Sequence, residues 1–451
     1  MRHWRIVASK ETIHIIPVIF CNISDKISIF AINNRMDMRR FVLKNIGPIK
    51  YIDIELNKIN VIIGPQSSGK STIAKIISFC SWLEKNKAEV KRLILKGGLV
   101  KKLEEYHRLK GYFSEGSAIY YSGDNVTFIY NPTELTEMVG LFQNENEEMA
   151  MENVYYSSDK TINPKVSYIP AERNFVAALP NARKYAESDD NLLSFIEDWL
   201  DSKRHYPTDN AMDIMNLGVK FCYSEKKDRD FLMLQEKEEP IYLEHASSGL
   251  QSLIPLMVLI NWFANGIYEQ DKPYSPEEII WMKKILVDLS KDHKDGIEQQ
   301  QLLGRLNRFM SGESYTHTQF IIEEPEQNLY PKTQVDFLYF LLAMVNHGKP
   351  HRLVLTTHSP YILYALNNCL LAHRVKDNMD EESRNRIDAI AYAMNPESVS
   401  VWQIKDGYLC NEKDEKNRTI QDVKGLIRKN YFNSIMKQVM GDFNELLNFY
   451  E

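Results

Sequence analysis

Val61-Ile62-Ile63-Gly64-Pro65-Gln66-Ser67-Ser68-Gly69-Lys70-Ser71-Thr72 joins a short apolar run to a glycine-flanked loop and then to a helical pattern. The loop spacing, G-x-x-x-x-G-K-[ST], lets consecutive backbone N–H groups curl round an anion, with glycine where a side chain would obstruct. Gly64, Pro65, Gln66, Ser67, Ser68 and Gly69 would form the cradle, and Lys70 would reach the β- and γ-phosphates of a nucleotide. Ser71 would offer its hydroxyl to Mg2+, and Thr72 would lie by the α-phosphate. A helix opening at Ser71 turns its positive end toward the same anion. The stretch predicts a buried strand, a phosphate loop and a helix, in that order.

The 451 residues allow about three domains by length, although an α/β domain with insertions can absorb as many. At 44% hydrophobic and 26% charged the composition is that of a globular protein and suggests neither a disordered nor a membrane class. A net charge of −6 argues against a surface that binds nucleic acid throughout, but leaves room for a local basic stripe. Cys21, Cys80, Cys222, Cys369 and Cys410 are scattered, without C-x-x-C spacing, so neither a disulfide framework nor a zinc site is indicated and a cytoplasmic location fits. The apolar run Ile13 to Phe20 contains His14 and Pro17 and is too short to span a bilayer, so no membrane association is expected. Translation starting at Met36 or Met38 would make the N-terminal extension, residues 1–37, largely a start-site overrun.

From Met38 the pattern becomes orderly. Phe41-Val42-Leu43 reads as a strand, Asn45 to Pro48 as a turn, and the alternation Ile52, Ile54, Leu56 as a second strand before Ile59 to Ile63. Ile73, Ile76, Ile77, Cys80 and Leu83 then mark the buried side of a helix. Further strands are expected at Val126–Tyr130, Val166–Ile169, Phe231–Leu234, Ile241–Leu243, Gln319–Ile322 and Leu353–Leu355, and helices over Leu192–Leu200 and Leu250–Phe263. The recurrent order is strand, polar tip, helix, the layout in which ligands gather at the carboxyl ends of parallel strands. The core is expected over residues 38–83, 166–175 and 240–410, with an inserted lobe over 84–165 and 176–239. A charged insertion covers 267–317, and a C-terminal helical segment covers 411–451.

Two tips carry acid, base and anion chemistry. The run Gln319-Phe320-Ile321-Ile322 ends in Glu323-Glu324, adjacent carboxylates that are costly at the end of an apolar strand unless a cation is near. Glu323 would hold Mg2+ and Glu324 would polarise an attacking water. His358, just past Leu353-Val354-Leu355, can hydrogen-bond a γ-phosphate or that water. Ser247-Ser248-Gly249, ahead of the long apolar helix, could present hydroxyls and N–H groups to an anion or serve as a helix cap.

Taken in order, these motifs carry a resemblance. Gly64 to Thr72 looks like Walker A, Ala246-Ser247-Ser248-Gly249 like an ABC signature turn, and Ile321 to Glu324 like Walker B. Pro325 to Leu329 looks like the D-loop and His358 like the switch histidine. Over residues 38 to 410 the chain resembles ABC-type ATPases of the SMC, RecF and OLD group, an AAA family of ATPases. Glu323-Glu324-Pro325-Glu326 with Leu329-Tyr330-Pro331 is similar to OLD-like and prokaryotic defence ATPases such as the subunits of Septu and PARIS. The chain departs from the pattern where Glu323 replaces the commoner Asp, where Ser248 and Leu250 replace the signature's Gly and Gln, and where Gln66 replaces Asn.

The resemblance implies an α/β P-loop NTPase of the ABC-ATPase head type, with a mixed β-sheet core flanked by helices and an inserted helical lobe. It implies ATP and Mg2+ as cofactors, Lys70, Glu324 and His358 as catalytic residues, and a homodimer or higher even-numbered oligomer in which Ser247, Ser248 and Gly249 close the partner's ATP. It also implies control of a separate effector, a nuclease or toxin, in anti-phage defence. Asp377, Asp380, Glu381 and Glu382 follow no buried strand and make a poor metal site, so no nuclease domain is expected in this chain. A nucleotide-gated scaffold with little turnover and a RecF-like DNA-repair ATPase are the alternatives. Three features stay open on the residues alone. Glu172-Arg173 would face the nucleotide or form a structural ion pair. The basic run from Lys85 to Lys110 would track nucleic acid or form a solvated face. The last apolar stripe, Phe432 to Tyr450, would pack on its own domain or meet a partner.

Overall fold

Ile59-Asn60-Val61-Ile62-Ile63 is buried along its whole length. A strand apolar on both faces has to be covered on both sides. The computed structural model describes residues 39–95, 97–135, 150–157, 162–179, 190–235, 239–269, 315–410 and 418–450. In it this strand, β3, lies inside an 11-stranded mixed sheet. The strands preceding it are β1 (Arg40–Ile46) and β2 (Ile49–Glu55), and helix α1 (Lys70–Lys85) follows it. Then come α2 (Lys87–Ile94), α3 (Leu99–Tyr106), β4 (Phe113–Ser122), β5 (Val126–Tyr130), β6 (Glu152–Tyr156), β7 (Pro164–Ile169) and α4 (Asn191–Ser202). Four short strands, β8 (Met212–Asp213), β9 (Val219–Ser224), β10 (Arg229–Leu234) and β11 (Ile241–Tyr242), form a separate antiparallel sheet. The remaining elements are α5 (Ser248–Asn261), β12 (His317–Glu323), α6 (Pro331–Asn346), β13 (Arg352–Thr357), α7 (Pro360–Val375), β14 (Val399–Lys405), β15 (Tyr408–Leu409) and α8 (Tyr431–Leu447).

The main sheet runs β6-β5-β4-β1-β2-β15-β14-β3-β13-β12-β7. Strands β14, β3, β13, β12 and β7 are mutually parallel, and β6, β5, β4, β1 and β2 are antiparallel. Alternation along the parallel strands sorts two cores. Ile59, Val61, Ile63, Phe320, Ile322, Leu353 and Leu355 pack with α4, α5, α6 and α7 on one face. Ile62, Ile321 and Val354 pack with Ile73, Ile76, Ile77 and Cys80 of α1 on the other. The register puts the carboxyl ends of β3, β13 and β12 side by side, Thr357 opposite Ile63 and Glu323 opposite Thr356.

The sequence places an inserted helical lobe at 84–165. It does hold α2 and α3, but β4, β5 and β6 pair antiparallel onto β1 and continue the main sheet. The physical reason is the free edge of β1, whose backbone groups need partners. Strand β4, with Gly116 and three serines, opens on a stretch that does little to announce this. The stretch 176–239 contributes α4 and most of the small sheet, whose Phe221 packs on Trp199 with ring centroids 5.6 Å apart. Residues 1–38, and 270–314 of the charged insertion, lie outside the described residues.

A partly buried charge pair joins the two halves of the sheet. Arg352, opening β13, donates both guanidinium N–H groups to the carboxylate of Asp124 in the β4–β5 turn, one of them at 2.9 Å. Burial pushes the Asp124 carboxyl up, but Arg352 and Arg39 outweigh it and hold the group below its usual range. The Asp124 N–H in turn donates to Glu84 of α1 at 3.1 Å. Removing one partner leaves a partly buried charge unpaired, so Arg352→Met should cost about 2 kcal/mol of stability in urea unfolding. The double variant D124N/R352M should recover part of that loss; no recovery would mean the two side chains act separately.

Candidate functional site

The phosphate loop begins where β3 ends. Gly69 takes φ +100° just before α1, and a Cβ there would lie 2.4 Å from the Ile49 Cδ1 of β2, so only glycine fits. Gly64, Gly69, Lys70 and Thr72 are buried, while Pro65, Gln66 and Ser67 stand exposed at the apex. The Ser68 Oγ is buried with no hydrogen-bond partner. Lys70 Nζ donates to the carbonyls of Gly64 at 3.1 Å and Pro65 at 2.8 Å, which curls the lysine over its own loop. Burial lowers its pKa, against the pull of Glu324, Glu326 and Glu323.

Glu323, at the end of β12, is 4% exposed. It accepts a hydrogen bond from Tyr168 Oη at 2.6 Å, and the Ser71 side chain is near enough to favour its charged form. The two residues expected to hold Mg2+ are therefore neighbours in the cleft. Burial pushes the Glu323 carboxyl up, and the Tyr168, Lys75 and Ser71 interactions only partly offset it. A buried carboxylate beside a P-loop hydroxyl, with an unpartnered serine Oγ in the same loop, fits a cation and a polyanion binding together.

Glu324 sits in the opposite environment. It is half-buried, its Oε1 lies 3.4 Å from His358 Nε2, and its Oε2 accepts from Gln327 Nε2 at 3.0 Å. The His358 contact, with Gln327 assisting, holds its pKa below the usual carboxylate value despite burial. Its backbone adopts φ +43°, unusual for glutamate and consistent with the αR region being disfavoured before Pro325. The conformation is held by the Glu324 N–H donating to the Thr356 carbonyl at 2.9 Å. Glu326 fixes the other side of the cleft, accepting from the His358 N–H at 2.5 Å and the Thr357 Oγ1 at 2.9 Å.

Arg173 is the least anticipated part. It is wholly buried and, among the described residues, makes no direct carboxylate ion pair; its guanidinium donates to four carbonyls. These belong to Glu323 (3.0 Å), Glu324 (2.9 Å), Ser252 (3.2 Å) and Pro170 (3.4 Å). Burial lowers its pKa to about 10. Of the two sequence readings for Glu172-Arg173, neither describes Arg173: it braces the backbone that carries both glutamates. Tyr168, the third residue of the strand read at Val166–Ile169, gives no sign in sequence of its reach to Glu323.

The serine-glycine turn lies elsewhere. Ser247 caps α5, its Oγ accepting from the Leu250 N–H at 3.5 Å, and Ser247 and Ser248 are exposed. A Cβ on Gly249 would come within 3.0 Å of the Asn328 carbonyl, and Asn328 Nδ2 donates to Ser252 Oγ at 2.9 Å. The turn thus packs on the loop following Glu324. Among the described residues no hydrogen bond links Ser247, Ser248 or Gly249 to the P-loop. The basic run is partly engaged within the fold: Arg108 pairs with Asp190 at 2.6 Å, and Lys85, Lys87 and Lys102 lie over tyrosine rings. Lys91, Arg92, Lys101 and Lys110 are exposed, and Lys96 lies outside the described residues.

Residues 40–254 match the model of a family described as an AAA domain. The matched stretch contains the P-loop, Arg173 and the serine-glycine turn. No curated protein matches the chain in sequence. Among solved structures the chain is similar to an SMC head domain from Thermotoga maritima, at 11% identity over 73% of this chain and 91% of that one, TM-score 0.32. It is also similar to an SMC head bound to the C-terminal winged-helix domain of ScpA, at 10% identity over 73% and 91%, TM-score 0.34. A third likeness is to the ATP-binding cassette MJ0796, a dimer bound to ADP and Pi, at 12% identity over 84% and 99%, TM-score 0.28.

Lysine cannot reproduce a planar fork that serves four carbonyls. Arg173→Lys should therefore cost about 3 kcal/mol in urea unfolding, the scale of charge-assisted hydrogen bonds lost in a buried site. An unchanged midpoint would show that the guanidinium does not hold the turn.

Proposed function

We propose that this chain is an ABC-type ATPase head that binds ATP with Mg2+ and hydrolyses it. The observation that carries this reading is the buried Glu323 carboxylate beside Ser71 of the P-loop, with Glu324 and His358 facing each other at neighbouring strand ends. Ser71 and Glu323 would hold Mg2+, which would supply charge neutralisation between the β- and γ-phosphates. Gly64 to Gly69 would bind the phosphates by backbone N–H groups, and Lys70 would exchange its loop carbonyls for phosphate oxygens. Glu324, kept ionised by His358, would accept a hydrogen bond from the attacking water and aim it. A carboxylate with a depressed pKa is a weak base, which suits a transition state in which little proton transfer has occurred before the bond to the leaving group loosens.

The exposed serine-glycine turn, unlinked to its own P-loop, supports closure of each ATP by Ser247, Ser248 and Gly249 of a second copy. Control of a separate nuclease or toxin in anti-phage defence rests on the likeness of the Glu323–Glu326 region to defence ATPases.

Glu324→Gln should lower ATP turnover by about a hundredfold or more while leaving affinity for ATP within a few-fold, as read by phosphate release and by nucleotide-binding titration. Equal rates would remove Glu324 as the water-orienting residue. Tyr168→Phe makes a separate point about the metal carboxylate. Removing the Tyr168 donor leaves burial less opposed, so the pKa of Glu323 rises further and the carboxylate ionises only at higher pH. The acid limb of Mg2+-dependent turnover should therefore move to higher pH, with the alkaline side unchanged; an unmoved acid limb contradicts the role of Tyr168.

A further inference from the structure

Helix α8 is tied to the rest of the fold at its first turn. Asn430 accepts from the N–H groups of Phe432 at 3.0 Å and Asn433 at 3.2 Å, the Tyr431 N–H donates to Gln403 at 2.9 Å, and Asn433 reaches the Tyr364 hydroxyl at 3.1 Å. Beyond that turn none of its residues is buried. From Ile435 to Tyr450 the large apolar and aromatic side chains are between 49% and 83% exposed. A 17-residue helix interrupted by Gly441 is marginal in water without packing, and this stripe has no cover among the described residues.

We propose that α8 is a homodimerisation helix, pairing antiparallel with α8 of a second copy about a two-fold axis level with Gly441. The spacing makes the stripe complementary to itself. Under that axis Val439 faces Phe443, Met436 faces Leu446 and Ile435 faces Leu447, so these three layers are apolar on both sides, while Met440 stands level with Asp442 at the edge of the seam. Two-fold symmetric layers are what an isologous contact requires, whereas a helix that binds an unrelated partner is under no such constraint. Met436, Val439, Phe443 and Leu446 also follow the 3-4-3 spacing of a coiled-coil seam.

Orientation follows from charge. Lys437 lies in the first half of α8 and Asp442 and Glu445 in the second, so antiparallel pairing sets unlike halves and opposed helix dipoles together, while parallel pairing stacks like on like. The area is also sufficient. With aromatic side chains presenting about 150–250 Å2 each, the exposed stripe amounts to on the order of 900 Å2. A monomer's largest apolar patch is about 300–600 Å2, and one partner contributes about 800 Å2 to a standard interface.

This contact needs no nucleotide and uses no residue of the P-loop cleft, so its failure and the failure of the ATP reading are separate results. The full chain, nucleotide-free in EDTA at micromolar concentration, should sediment as a dimer. V439E/F443E should weaken association by more than about a hundredfold, since two carboxylates would be buried unpaired, and should leave ATP binding unchanged. Mixed chains carrying M436C and L446C should form a disulfide between the two variants, and neither should cross-link to itself. A monomeric wild type, a dimer that survives V439E/F443E, or self-cross-linking of M436C overturns the proposal.

Discussion

A buried guanidinium decides where the two glutamates stand. Arg173 is taken wholly out of water, which is costly for a cation unless every donor is met. The carbonyls that meet it belong to β12 and its exit at Glu323 and Glu324, to α5 at Ser252, and to the end of β7 at Pro170. Strand β12 loses its ladder partners just where the chain turns through the left-handed conformation of Glu324. A residue at positive φ persists only where its surroundings over-determine it. The same guanidinium anchors α5, whose N-terminus carries the serine-glycine turn, so the acidic tip and that turn share one support.

That support lets two adjacent carboxylates diverge. Glu323 is enclosed and pushed toward its neutral form by burial, while Glu324, one residue on, opens to the cleft and is held ionised by His358 and Gln327. Neighbouring groups whose environments drive their pKa values apart are suited to different roles. The enclosed one gains most from a cation, which would return it to the charged form; the open one can meet a water without further help. Glu326, third in the run, belongs to neither class, because its oxygens are taken by the His358 N–H and the Thr357 hydroxyl.

Much of this was legible in the sequence because each tip follows an apolar run. A P-loop has to be contiguous, and so do Glu323-Glu324 and the stretch from Leu353 to His358. The order of strands was not legible, and it is what places Tyr168 of β7 against Glu323 of β12, 155 residues apart. Arg173 stands beside Glu172 in the sequence, but a guanidinium that satisfies carbonyls leaves no partner pattern to read. The antiparallel extension was missed because β4 and β6 are poor in the β-branched runs that announce strands. The apolar stripe of α8 was plain at its 3, 4, 7 spacing, but periodicity gives the face of a helix and not whether that face is covered.

The antiparallel half is more than a cover for an edge. Ile49, which opens β2, sits against Gly69, and its neighbour Lys50 donates its N–H to the Gly407 carbonyl at 2.9 Å in the β14–β15 turn. Strand β14 in turn lies directly beside β3, the strand that delivers the loop. The P-loop is therefore seated between a residue of the antiparallel arm and the parallel strands that carry Glu323 and His358. Since Arg352 and Asp124 join that arm to β13 at the other end of the strands, the arm is fastened at both ends. A close-packed interior transmits small displacements instead of absorbing them. The position of the loop over α1 is thus set by β2 as much as by β3, and the spacing of Gly64 and Gly69 fixes the shape of the cradle without fixing where it stands.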